Sequence, residues 1–197
     1  MRLTGLDRWL PAIIGTACLL PFAVVAVQLL YVRRLRRGVP GTRASRTAWL
    51  DVAMVATTAP WIWMILTPVP GDRQRYLVPL SDLWEQLHHP PGWVAMQIGG
   101  NLAVFAGFGL LAPVRWRIRP LWIVLLAAAG SATVETAQWF LDIGRVASVD
   151  DVLVNAAGAG LASLLSRPWW ARRAETGTPA APITGTVSAN DGLREQQ

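Results

Sequence analysis

The sequence predicts an all-α polytopic membrane protein, a bundle of about five transmembrane helices with the N-terminus outside and the C-terminus in the cytoplasm. Hydrophobic residues make up 53% of the 197 residues, and charged residues only 15%. The apolar residues lie in long uncharged blocks, whereas a soluble domain would spread them in short periodic pieces. Clusters of arginine separate the blocks, which is typical of the loops between membrane spans.

The first block covers residues 10–32 and contains no charged side chain. A helix of that length crosses a hydrocarbon core of roughly 30 Å. Four arginines follow the block: Arg33, Arg34, Arg36 and Arg37. A signal peptide would have small residues at a cleavage site there. We therefore expect a retained transmembrane helix, preceded by a short extracytoplasmic segment of residues 1–9.

The second block covers residues 52–69, so residues 10–70 are predicted to form two transmembrane helices joined by an arginine-rich cytoplasmic loop. Residues 71–92 are polar and contain several prolines, which predicts an extracytoplasmic loop. Within that loop, residues 80–87 have the pattern of a short capped amphipathic helix lying at the membrane interface.

Three more apolar blocks predict a three-helix core over residues 93–166. They cover residues 93–114, 121–141 and about 149–165. The remaining residues, 167–197, are rich in Thr, Pro, Ala and Gly and cannot bury a core, so we expect a cytoplasmic tail that is disordered after about Ala174.

The orientation follows from the arginines, since the chain contains no lysine. Six arginines lie between the first and second helices, three between the third and fourth, and three just after the fifth, at residues 167–173. Five lie on the opposite side. The positive-inside rule therefore places the N-terminus outside the cell and the C-terminus in the cytoplasm.

Several classes of site are not predicted. The net charge of +6 does not indicate nucleic-acid binding, because the arginines lie between apolar blocks rather than along one helix face. The single cysteine, Cys18, excludes a disulfide framework and a cysteine-based metal site. His88 and His89, near Asp82 and Glu85, match no standard zinc spacing, so no metal and no cofactor is expected. Nothing in the sequence fixes the oligomeric state.

Polar side chains inside the apolar blocks are the candidate site. Glu135 and Gln138 project from one face of the fourth helix, and Arg145 lies in the next loop. The complete set is Asn101, Glu135, Gln138, Arg145, Asp150, Asp151 and Asn155. At about 1.5 Å per residue, Glu135, Asn155 and Asn101 lie roughly 9, 6 and 11 Å below the outer ends of their helices. The sequence therefore predicts one polar cluster in the outer leaflet.

Two interpretations of this cluster remain open. An ionised carboxylate near the bilayer centre costs about 2.5–3.5 kcal/mol, so a partner, a water-filled cavity or a function must offset that cost. One interpretation is a ligand-binding or proton-handling pocket that opens outward. The other is a clamp of hydrogen bonds between helices, worth about 0.6–2 kcal/mol per contact. One arginine beside several acids can serve either purpose.

The residues from Gly100 to about Leu165 resemble the VanZ-like family of bacterial integral membrane proteins. The third helix is similar to that family's Asn-x-x-x-Phe-x-Pro-x-Gly stretch, and the fourth to its Glu-x-x-Gln pair. The matching positions are Asn101, Phe105, Gly109, Glu135, Gln138, Arg145, Asp150, Asp151, Asn155 and Gly158. Gly107 and Ser148 depart from the family's usual proline and aspartate, and Leu80 departs from its phenylalanine.

The resemblance implies a multi-pass protein of the bacterial plasma membrane in contact with membrane lipids. The family takes its name from a member associated with reduced susceptibility to the lipoglycopeptide teicoplanin. The arginine-rich, lysine-free composition is typical of a GC-rich genome, such as that of an actinobacterium. Our first hypothesis is a non-enzymatic protein that binds or excludes an amphiphile at the outer leaflet. The amphiphile would be a lipoglycopeptide antibiotic or a cell-wall lipid intermediate.

Two other functions fit the same residues. The first is a membrane enzyme acting on a lipid-linked substrate, with Glu135 or Asp151 as general acid or base. No nucleophile, metal site or phosphate-binding loop accompanies these acids, so a non-enzymatic role is favoured. The second is a small transporter. The cytoplasmic halves of the predicted helices carry almost no polar residues, so no continuous path across the membrane is visible.

Overall fold

The computed structural model describes residues 5–71 and 74–169, with side chains from residue 18 onward. These residues form seven helices and two short strands. In chain order they are α1 (Gly5–Arg36), α2 (Gly41–Ile65), β1 (Gln74–Tyr76), α3 (Ser81–Gln86), α4 (Pro91–Val104), α5 (Ala106–Trp116), α6 (Pro120–Leu141), β2 (Val146–Ser148) and α7 (Val149–Leu165). The predicted all-α bundle is confirmed. The tail expected to be disordered after Ala174 lies outside the described residues.

Four helical segments are long and apolar enough to cross a membrane. They are Cys18–Arg36, Gly41–Ile65, Pro91–Trp116 and Pro120–Leu141. The fifth predicted span corresponds to α7, which has 17 residues and is therefore about 26 Å long. Helix α7 packs against α4, α5 and α6, and its alanines and glycines are largely buried. Large apolar side chains such as Phe22, Phe140 and Leu165 instead point away from the bundle, as lipid-facing residues would.

Helix α2 begins at Gly41, well before the predicted start at Val52. The connection between α1 and α2 consists only of residues 37–40 and is shorter than predicted. Part of the expected arginine-rich loop is therefore helical. Arginine is a good helix former, and Pro40 provides a start signal just before the helix. Asp51 then lies inside the helix, where Arg34 and Arg115 both form salt bridges with its carboxylate.

The third span is broken rather than continuous. Phe105 has φ −107° and ψ 8°, which ends α4 and starts α5. Beyond the break, a Cβ at Gly107 would overlap the side chain of Thr57 in α2. A Cβ at Gly109 would overlap the backbone of Ala159 in α7. The two glycines therefore permit the close approach that the redirected helix α5 makes to its neighbours.

One end of the bundle, the cap end, is covered by α3 and the two strands. Strands β1 and β2 pair in parallel, with Gln74 opposite Val146 and Tyr76 opposite Ser148. The predicted helix at 80–87 is present as α3, but no side chain of its own caps it. Instead Asp150 of α7 accepts hydrogen bonds from the backbone N–H groups of Leu80 (2.5 Å) and Leu83 (2.9 Å). Helix α3 is thus fixed to the bundle by a distant residue.

Candidate functional site

A cavity of about 250 Å³, the polar cavity, lies below the cap end between α2, α4, α6 and α7. Six of the seven predicted site residues line it: Asn101, Glu135, Gln138, Arg145, Asp151 and Asn155. Apolar side chains, among them Ile65, Val69 and Phe105, complete its wall. The structure therefore brings residues from three helices and one loop to a single internal surface.

Glu135 joins α6 to the start of α7. Its Oε2 accepts a hydrogen bond of 2.9 Å from the backbone N–H of Ser148, and the residue is 9% exposed. Ser148 is also the N-cap of α7, where its Oγ accepts a hydrogen bond from the N–H of Asp150. The carboxylate of Glu135 thus holds the first turn of α7 against α6.

Arg145 and Gln138 bind the C-terminal end of α2. Arg145 donates from Nε to the Thr67 carbonyl (3.0 Å) and from Nη2 to the Met64 carbonyl (2.9 Å). Gln138 donates from Nε2 to the Ile65 carbonyl at 3.2 Å. Partial burial lowers the pKa of the Arg145 guanidinium, and the negative charge of Glu135 opposes that shift. Ile65 is the last residue of α2, Thr67 follows the helix, and the Met64 carbonyl also accepts a hydrogen bond of 3.3 Å from the Thr67 N–H, so these donors fix the chain where α2 ends.

Two further side-chain pairs connect α7 to its neighbours. Asn101 of α4 donates from Nδ2 to Oδ1 of Asp151. Asn155 donates from Nδ2 to the Oγ of Ser131 on α6, at 2.7 Å. Each pair joins two helices, as the clamp interpretation requires, so the cavity wall also contributes to helix packing.

Two side-chain oxygens of the polar cavity are left over. Gln138 Oε1 and Asn155 Oδ1 are buried and have no hydrogen-bond partner among the described residues. The two residues are only 4% and 3% exposed. Both atoms are amide carbonyl oxygens, which can only accept hydrogen bonds, while the nitrogen of each amide donates to Ile65 or Ser131. The cavity can therefore accept hydrogen bonds from a molecule that enters it.

Asp150 differs from the other predicted site residues because it does not line the cavity. Its carboxylate caps α3, and only its neighbour Asp151 faces the cavity. Conversely, Ser131 lines the cavity although it was not predicted as part of the site. Its spacing of four residues before Glu135 and seven before Gln138 puts all three on one helix face, and this pattern could have identified it.

The two histidines near α3 have ordinary surface contacts. His88 Nδ1 lies 2.9 Å from the Trp84 carbonyl, and the His89 ring packs against Trp93 with ring centroids 4.4 Å apart. In the described part of the chain, no three His, Cys, Asp or Glu side chains form a group that could hold a metal ion. Beside them, Asp82 is buried and accepts a hydrogen bond of 2.9 Å from Gln86 Nε2.

Comparison with known proteins identifies the family. The family model described as VanZ/LLP1 matches residues 53–171, more than half of the chain, and this stretch includes every residue that lines the polar cavity. No curated protein and no solved structure matches the chain. The chain therefore belongs to the VanZ/LLP1 family and is a VanZ-like membrane protein.

Proposed function

We propose that the polar cavity binds the polar head of an amphiphile at the outer leaflet of the bacterial plasma membrane, without catalysing a reaction. The unpaired oxygens of Gln138 and Asn155 carry this proposal. A buried acceptor without a donor costs about 1–3 kcal/mol. A structural clamp would pair both ends of these amides, whereas a binding site leaves acceptors for its ligand.

The size of the cavity limits what enters it. A volume of about 250 Å³ lies just below the roughly 300–1,000 Å³ of sites that enclose a drug-sized molecule. It suits one polar group, such as a sugar ring or an amine, while the rest of the ligand stays in the leaflet. The apolar part of the wall, with Ile65, Val69 and Phe105, suits a ligand that is only partly polar.

The chemistry of the wall favours a ligand that donates hydrogen bonds. Glu135 and Asp151 contribute carboxyl oxygens, and the two amides contribute carbonyl oxygens. Arg145 uses Nε and Nη2 on backbone carbonyls of the α2 end. Lipoglycopeptides such as teicoplanin and cell-wall lipid intermediates both combine sugar hydroxyl groups with a lipid chain. Both meet the membrane at its outer face, which the predicted orientation assigns to the cap end.

The test compares two carboxylates that differ in position. Purified protein in lipid nanodiscs is titrated with teicoplanin and, separately, with a lipid-linked disaccharide-pentapeptide. Glu135→Gln keeps an oxygen for the Ser148 N–H but replaces the second carboxyl oxygen, an acceptor, with an NH2 group that only donates. We expect it to weaken binding about tenfold, as for loss of one buried hydrogen bond. The matched control, Glu85→Gln, makes the same change on exposed α3 and should stay within about twofold.

Three results would contradict the proposal. The wild-type protein could bind neither amphiphile, or both variants could bind as well as the wild type. Alternatively, Glu135→Gln could fail to accumulate in the membrane while Glu85→Gln accumulates normally, which would make the cluster a structural clamp. Mass spectrometry of the lipid intermediate after incubation with the protein provides a further check. A new product would show that the protein catalyses a reaction, which contradicts a role in binding alone.

A further inference from the structure

The opposite end of the bundle contains a second and larger cavity. It lies between the first turns of α2 and the last turn of α5, and its volume is about 770 Å³. Four arginines line it, Arg43, Arg46, Arg115 and Arg117, and we call it the arginine cavity. We propose that the arginine cavity binds the headgroup of an anionic phospholipid. This proposal is independent of the ligand of the polar cavity.

The positive charge of this cavity is not neutralised within the described residues. Asp51 forms salt bridges with Arg34 and Arg115, at 2.6 Å between Arg115 Nε and Asp51 Oδ1. One carboxylate therefore faces two guanidinium groups. No carboxylate in the described ranges forms a salt bridge with any of the other three arginines of the cavity. An anion supplies the missing counter-charge.

The fold positions the arginines for a phosphate group. Arg43 and Arg46 lie one turn apart at the start of α2, and Arg117 follows the end of α5. Bonds from both Nε and Nη2 of Arg115 to Asp51 fix its orientation. A guanidinium group binds phosphate oxygens with two parallel N–H donors, so several of them around one cavity favour a phosphate over a monovalent carboxylate.

The wall is apolar on one side, which favours a lipid over a free anion. Leu50 and Trp116 line the cavity together with the arginines, and Trp116 is 48% exposed. The Arg115 guanidinium lies 5.3 Å from the centre of the Trp116 ring. The cavity also lies at the ends of two candidate membrane spans, Gly41–Ile65 and Pro91–Trp116, where lipid headgroups are expected. Basic pockets between transmembrane helices bind anionic headgroups at this level.

The volume agrees with this assignment. About 770 Å³ lies within the roughly 300–1,000 Å³ of sites for drug-sized molecules and far exceeds what inorganic phosphate needs. A phospholipid headgroup with its glycerol fits that range, and its acyl chains can pass along the apolar side. The ligand class is therefore an anionic phospholipid.

The experiment titrates the full chain, in uncharged detergent micelles, with short-chain phosphatidylglycerol and counts bound lipid by native mass spectrometry. The double variant Arg43→Gln/Arg117→Asn removes two cavity charges. Asn is compatible with the positive φ of 57° at position 117. At about fivefold per arginine, we expect binding to weaken about 25-fold. The control, Arg33→Gln/Arg36→Gln, removes the same charge from exposed positions at the end of α1 and should weaken binding no more than about twofold.

Equal losses of phosphatidylglycerol affinity in the two double variants would overturn the proposal. They would indicate that the total positive charge of this end of the bundle attracts the lipid, and not the arginine cavity in particular. Inorganic phosphate or phosphatidylcholine binding as tightly as phosphatidylglycerol would overturn the assignment of the ligand. The single variant Arg43→Gln replaces the double variant if that one misfolds. It should fold normally, since the Arg43 side chain makes no hydrogen bond to any other described residue. It should weaken binding about fivefold, and an unchanged affinity would also overturn the proposal.

Discussion

The two ends of this bundle each contain a cavity lined by polar groups, but the pairing of those groups is opposite. In the polar cavity, two buried acceptor oxygens remain without a partner among the described residues, at Gln138 and Asn155. In the arginine cavity, one carboxylate serves two guanidinium groups, and unused donors remain. The two sides of a membrane protein can thus differ in the polar groups of their cavities as well as in the charge of their loops. We therefore expect the polar cavity to favour a ligand that donates hydrogen bonds, and the arginine cavity to favour an anion.

The largest expected effect comes from breaking the backbone contact between α7 and α4. Gly158 of α7 lies so close to α4 that an added Cβ would overlap the backbone of Leu102. Backbone cannot move aside as a flexible side chain does. Gly158→Ala should therefore lower the free energy of unfolding by about 3 kcal/mol or more, measured by unfolding in mixed micelles.

Gly99 of α4 is the matched control, because a Cβ there meets no atom within 4 Å. Alanine is the better helix former, so Gly99→Ala should change the free energy of unfolding by no more than about 1 kcal/mol, in the stabilising direction. Equal destabilisation by the two substitutions would mean that α7 is not held against α4 by backbone contact.

An intermediate effect is expected at the arginine end. Asp51→Asn leaves Arg34 and Arg115 without their common counter-charge in a partly buried position. We expect the free energy of unfolding to fall by about 1.5–3 kcal/mol. In a variant that already carries Arg115→Gln, the same change should cost less, because the two residues interact directly. Strict additivity would argue against the pairing.

The smallest effect on stability is expected in the polar cavity. Gln138→Leu removes the donor to the Ile65 carbonyl but also removes a buried oxygen without a partner. These two contributions oppose each other, so the free energy of unfolding should change by less than about 1 kcal/mol. Binding of the amphiphile should weaken in the same variant. A loss of stability as large as that of Asp51→Asn would instead mark Gln138 as part of a clamp.

The sequence predicted the helices and most of the polar cavity because both depend on local patterns. Uncharged blocks identify spans, and the three- and four-residue spacing of polar side chains identifies the helix face they share. Glu135 and Gln138 are of this kind. The seven predicted positions include six that line one cavity, although they come from distant parts of the chain.

Features that depend on distant partners were not predicted. The position of Asp51 inside α2 depends on Arg34 and Arg115, which pair with its carboxylate from two other helices. Asp150 was placed in the polar cluster, but its role as the cap of α3 depends on where the loop folds back. The three-residue strands are too short to give a pattern of their own. The arginines were interpreted only through topology, which concealed the cavity that they form.

The parallel pairing of β1 with β2 has a consequence for biosynthesis. A ribosome adding about 5–20 residues per second needs several seconds to proceed from Gln74 to Val146. During that interval β1 lacks the strand with which it pairs. The backbone N–H groups at the start of α3 also lack the Asp150 carboxylate that accepts their hydrogen bonds. The cap end is therefore completed only after Asp150 has been synthesised, and a chain truncated before α7 would leave α3 without its cap.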